Sequence, residues 1–145
     1  MPTPRRTTAP RAHHVGVTVS DLDRAVEFYT TTFDLDVAAE FFVAGEAFSD
    51  AVSVAGASAS FAHLAAGDVI VELVEYEPQA EPNAPPELNQ PGAIHLGLSV
   101  DDVEAFYNNL ASAVETLSPP QTTATGTTIC FLRDPDGNLI EVVDA

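Results

Sequence analysis

HVGVTVSDLD at residues 14–23 can be laid on HLGLSVDDVE at residues 95–104, and this repeat decides the fold. The His, the Gly, the second-half Val and an Asp recur unchanged, and most other positions are conservative exchanges. Each copy reads as a strand, whose alternate residues face opposite ways, followed by a helix capped by Ser20 in the first copy and Asp101 in the second. The helices continue with Leu22, Val26, Tyr29 and Phe33, and with Val103, Phe106, Tyr107 and Leu110, spaced to fall on one helical face. Each copy then ends in a similar apolar strand, VIVELV at 69–74 and LIEVV at 139–143.

Between these anchors, residues 36–43, 59–65 and 128–133 are weaker strand candidates. Asp134-Pro135-Asp136-Gly137 is a turn, proline presetting the bend and glycine taking a positive φ, and it joins TICFLR to NLIEVV as a hairpin. Five prolines and no periodicity make 77–92 a linker, and 117–127, with Pro119-Pro120 and a run of threonines, a second loop. Residues 44–58 are read as a loop, a short helix or a flap. The chain thus divides into an arm over 1–11, a first module over 12–76, the linker over 77–92 and a second module over 93–145. At 145 residues these modules share one domain, which buries roughly 70% of its unfolded surface. Arg5-Arg6 in the arm resembles a twin-arginine export signal, but no apolar segment follows, so a disordered arm is expected.

There are 22 acidic residues against five cationic ones, all arginine, for a net charge of −17. Phosphate binding needs clustered cations, so nucleic acid is excluded as a partner. High net charge often marks disorder, but 46% of the residues are hydrophobic, and they are periodic. The lysine-free balance instead resembles that of proteins from salt-loving archaea, where screening removes the self-repulsion of an acidic surface. The single cysteine, Cys130, excludes an internal disulfide and fits a reducing cytoplasm. No segment approaches the roughly 18 apolar residues of a membrane helix.

Four residues stand out chemically. Glu72 and Glu141 sit inside apolar strands at matching places in the repeat. A buried carboxylate costs several kcal/mol unless paired or bound to a cation, and there is no lysine and little arginine to pair with. His14 and His95 open the first strand of each copy. In those strands His14, Gly16 and Thr18 share one face and Val15, Val17 and Val19 the other, and His95, Gly97 and Ser99 likewise oppose Leu96, Leu98 and Val100. One face is core, and the other is polar, with a His beside a glycine that leaves space for a substrate. Two imidazoles and two carboxylates suit a divalent first-row metal in an open octahedral site, whereas structural zinc would more often recruit cysteine. His14, Glu72, His95 and Glu141 are therefore the expected metal ligands.

Four segments, HHVGVTVSDLDRAVEFY at 13–29, VIVELVEY at 69–76, IHLGLSVDDV at 94–103 and FLRDPDGNLIEVV at 131–143, resemble the vicinal oxygen chelate superfamily, also called the glyoxalase/bleomycin resistance/extradiol dioxygenase superfamily. The resemblance covers nearly the whole chain. It implies an α+β fold of paired βαβββ modules whose sheet curls into a half-open cup around the metal. It also implies the full glyoxalase I-like ligand set on His14, Glu72, His95 and Glu141, holding Ni, Co, Mn, Fe or Zn. The activity implied is that of a lyase or isomerase acting on a small substrate with adjacent oxygens through an enediolate-like intermediate, with Glu141, or else Glu72, as the base. A homodimer is the implied assembly, and each site draws on one chain or on two. Two alternatives belong to other classes: an Fe(II) extradiol-type dioxygenase, whose triad needs only one carboxylate, and a metal-free ligand-binding protein like the bleomycin resistance members.

The remaining candidates are weaker. His13 is expected on the strand face opposite His14, so register with His95 selects His14. His63, in SFAHLA, lines the cup or is a partly exposed strand histidine. Cys130 reads as a core residue, having no neighbouring cation to activate it. Arg24 is expected on the outer helix surface, and Arg133, near the turn, either contacts an anionic substrate or, the preferred reading, sits in a surface ion pair.

Overall fold

A computed structural model describes residues 9–144 of the chain. The arm expected over 1–11 falls largely outside the described residues, as does Ala145. In chain order the elements are β1 (His14–Thr18), α1 (Leu22–Phe33), β2 (Asp36–Ala44), α2 (Glu46–Val52), β3 (Ser58–Ala66), β4 (Val69–Glu77), β5 (His95–Ser99), α3 (Val103–Asn108), β6 (Gln121–Thr122), β7 (Thr128–Arg133) and β8 (Leu139–Asp144). Setting α2 aside, each half is a βαβββ module, and the fold is the α+β pairing that the repeat and the resemblance imply. The strands form two four-stranded sheets, ordered β1-β4-β3-β2 and β5-β8-β7-β6.

The halves repeat to the level of register. β1 runs parallel to β4 with Gly16 beside Glu72, and β5 runs parallel to β8 with Gly97 beside Glu141. Partners across a ladder share a face, so His14 and Glu72, and likewise His95 and Glu141, lie one pleat apart on the same face. The opposite face of each sheet is core. Val71 and Leu73 of β4, Leu64 of β3, and Ile140, Val142 and Leu132 of the second sheet are fully buried. Truncating such a leucine to alanine costs about 2–5 kcal/mol.

Helices α1 and α3 serve one continuous core. Tyr29 and Ala25 of α1 and Val103 of α3 join the buried strand residues of both sheets in a single cluster. Phe33 of α1 stacks on Phe106 of α3 with ring centres 5.7 Å apart. A second tie runs from Tyr29, whose hydroxyl donates to Asp134 at 2.9 Å. That buried carboxylate also accepts from the backbone N–H groups of Asp136 and Asn138 and from the Asn138 amide, which shapes the predicted DPDG turn. Burial, then the Asp134 carboxylate, pushes the Tyr29 hydroxyl far above the ordinary tyrosine range.

Both caps lie one residue later than expected. Asp21 and Asp102, with extended backbones, accept from the N–H groups of Arg24 and Ala105. Ser20 is diverted because its hydroxyl donates to Asp136, 116 residues away. The α3 helix ends at Asn108, before Leu110. Residues 46–52 of the undecided 44–58 stretch form α2, whose Phe48 packs on Phe61 and Tyr76 over the far end of the Glu72-bearing face. The two arginines brace turns. Arg24 reaches Ser20 at 3.0 Å and Asp136 at 3.5 Å, while Arg133, expected in an ion pair, donates to the carbonyl of Gly137 at 2.8 Å.

Candidate functional site

The first sheet carries His14, His63 and Glu72 together on its open face. His14 Nε2 stands 3.6 Å from Glu72 Oε1, and His63 Nε2 stands 2.6 Å from Glu72 Oε2. The second sheet carries His95 and Glu141, with Nε2 3.4 Å from Oε1. Both glutamates are mostly shielded, at 17% and 23% exposure, while His14 and His95 remain about 40% exposed. Among the described residues neither carboxylate meets an arginine. The ionisable partners of both, among the same residues, are imidazoles, so the pairing problem posed by two shielded carboxylates is met by histidine on both sheets.

The four expected ligands are thus brought together as two pairs, not as one cluster. Among the described residues, no group of three or more His, Cys, Asp or Glu is placed to hold an ion within one chain. The reason is architectural. The core faces of both sheets join in one hydrophobic cluster with the helices, so the open faces point away from that shared core. A side chain added at Gly16 or Gly97 would meet nothing within 4 Å, which leaves room in front of both pairs.

The surroundings of the first pair are aromatic. Phe41 of β2 meets His63 edge to face at 5.0 Å and leans on Phe61 at the same separation, with Phe48 beyond. His13 precedes β1, so strand alternation does not govern it. Instead of facing away from His14 it turns back, with the two Nδ1 atoms 2.8 Å apart. Sequence reasoning left the role of His63 open, although a signal was present. Ala66-Gly67-Asp68-Val69 closes a two-residue hairpin, Gly67 taking φ 63°, and counting back from it sets His63 opposite Glu72. Cys130 is buried in the core, which raises its thiol above the ordinary range, with Glu104 adding to the effect.

This pairing of βαβββ modules with a His and a Glu on the first and last strand of each defines a class of duplicated α+β proteins. A sequence model of the glyoxalase/bleomycin resistance protein/dioxygenase superfamily matches residues 11–142, and the chain belongs to that superfamily. A 2-epi-5-epi-valiolone epimerase from Actinomyces is 35% identical over 120 residues, covering 79% of this chain. The chain spans 66% of that protein's length. A glyoxalase family protein from Bacillus cereus has the same fold with a TM-score of 0.84 at 19% identity, covering 96% of each chain. A glyoxalase I variant from Zea mays aligns with a TM-score of 0.69 at 22% identity, covering 93% of this chain and 45% of its own. Among the described residues no helix is long and apolar enough to cross a membrane.

Proposed function

We propose that the protein is a divalent-metal-dependent isomerase, an epimerase that moves a proton at a carbon next to a carbonyl in a small, uncharged, oxygen-rich substrate. The observation that carries this reading is the His–Glu pair repeated at one register in both halves. Two ligands about 2.1 Å from one ion lie about 3.0 Å apart at a right angle and about 3.4 Å apart at a tetrahedral angle. The observed 3.6 and 3.4 Å separations lie within about 0.2 Å of the tetrahedral value and about 0.4–0.6 Å above the right-angle one, so a small closing of each pair would let it supply half of a metal's ligand set. A second copy of the chain would complete it, His14 and Glu72 of one protomer meeting His95 and Glu141 of its partner. A two-fold dimer then holds two equivalent sites.

When bound, the ion supplies an electrophile that polarises the substrate carbonyl and acidifies the neighbouring C–H. The residues do the rest. Glu141 takes the proton from carbon and returns it on either face, so the product is an isomer and no oxidant is consumed. Phe41 and Phe61 exclude water on one side. Two features favour an uncharged substrate: the net charge of −17, and the engagement of Arg24 by Ser20 and Asp136 and of Arg133 by the Gly137 carbonyl. The name of the Actinomyces relative supports an epimerase over a lyase.

The test is solvent exchange. Metal-loaded protein in deuterated water without oxygen should place deuterium at the epimerised carbon of cyclic and open-chain polyhydroxy ketones. Glu141→Gln should lose about 10²–10⁴ in kcat with KM little changed. Strict need for iron and oxygen, with ring-cleaved product from a catechol, would establish the dioxygenase instead. Purified protein that retains no metal would point to the ligand-binding alternative.

A further inference from the structure

Two of the positions at which the duplication is broken bear on the His–Glu pairs. Three of the four histidines lie in the first half. There, His13 Nδ1 meets His14 Nδ1 at 2.8 Å, and His63 Nε2 meets Glu72 Oε2 at 2.6 Å. In the second half the residue preceding His95 is Ile94, 76% exposed, and the residue opposite Glu141 is Phe131. Phe131 touches the His95 ring edge to face at 5.1 Å but offers no donor. Among the described residues no further side-chain hydrogen bond reaches His95 or Glu141. The His63 ring is itself fixed, with Phe41 edge-on at 5.0 Å and His14 stacked at 6.2 Å.

Resting on the reading above, we infer that His63 is a positioning residue that locks Glu72 as the stationary ligand, and that Phe131 at the matching place leaves Glu141 free to leave the metal and carry the proton. The physical argument is one of freedom. A carboxylate with one oxygen tied to a ring wedged between two others has a single orientation, its second oxygen turned towards His14 Nε2. A carboxylate opposite a phenyl ring has no such tie and keeps its χ torsions. Glu141, with only His95 beside it, suits a group that must swing between ion and substrate carbon. Glu72, with His63 on one oxygen and His14 near the other, suits one that must not. His13 adds to the bracing by fixing the tilt of the His14 ring.

The test uses full-length protein titrated with Co²⁺, reading the dissociation constant and the visible absorption of the bound ion. His63→Phe copies the second half into the first. It should weaken Co²⁺ binding about 10–100-fold, as loss of a ligand-orienting partner does, with a Tm within about 2 °C of the parent. His63→Gln, whose amide nitrogen reaches the Nε2 position, should recover most of that loss. The reciprocal Phe131→His should leave Co²⁺ binding as tight or tighter and lower kcat for epimerisation at least tenfold, because it ties the swinging carboxylate. If the parent binds Co²⁺ and His63→Phe binds it within twofold, or if Phe131→His turns over at the parent rate, the inference is overturned while the proposed function stands. A parent that binds no Co²⁺ would overturn both.

Discussion

A site shared between protomers makes a quantitative prediction about mixtures. Consider one chain carrying His14→Ala/Glu72→Ala and another carrying His95→Ala/Glu141→Ala. On the proposed shared site, each homodimer would have two sites, each lacking one of its two His–Glu pairs. Losing a single residue that merely orients a ligand costs 10–100-fold in affinity, so losing two ligands should abolish binding at ordinary metal concentrations. In a mixed dimer the two lesions of one site coincide, and the other site is intact. Random reassortment puts half of the dimers in the mixed form with half of their sites whole, so co-folding equal amounts should restore about one quarter of the parent's bound metal and turnover. The substitutions should leave folding intact. All four side chains stand on the open faces and none belongs to the hydrophobic cluster. The assay is metal content per chain together with turnover, before and after unfolding and refolding the mixture. A mixture no better than either variant alone, while light scattering reports dimers, would refute the shared site.

Three further outcomes follow from single features. Tyr29→Phe should cost about 1.5–3 kcal/mol at neutral pH, the range for a hydrogen bond to a charged group, lowering Tm by about 4–8 °C. Because folding raises the Tyr29 hydroxyl, that group's share of stability is complete below about pH 10 and is lost as pH rises further, at up to about 1.4 kcal/mol per pH unit; denaturant melts should show this slope in the parent and a shallower one in Tyr29→Phe. Stability should climb steeply between low and molar salt, given a net charge of −17, and a flat Tm would remove the halophile reading. Cys130 should resist thiol reagents at pH 8 in the native state and react at once in denaturant, since burial raises its thiol.

Much of the molecule was legible because a repeat is tested twice. His14 with Glu72 and His95 with Glu141 emerged from one pattern read in two places, and their strands pair at one register in both halves. The hairpin at Asp134-Pro135-Asp136-Gly137 was legible because turn chemistry is local, and the buried state of Cys130 because it sits in an apolar run. What failed was non-local. Ser20 has the sequence credentials of a cap, but Asp136 from the other half takes its hydroxyl, so Asp21 caps instead. His13 escapes the alternation argument because β1 has not yet begun.

The sequence by itself determined the duplication, the βαβββ order of the first half and the residue types on each strand face, since periodicity and turn chemistry act over a few residues. In the second half 117–127 reads as a loop, and only pairing with β7 makes a two-residue strand of Gln121–Thr122. Only the tertiary structure decided where the two halves stand. Tyr29, Phe33, Phe106 and the Tyr29–Asp134 hydrogen bond join α1, α3 and both sheets in one core, which leaves the His–Glu faces outside that core and the two His–Glu pairs separate. An amphipathic helix records in its sequence that one face must be buried. It does not record what will bury it, because hydrophobic burial has no direction and is satisfied by any apolar surface of the right shape.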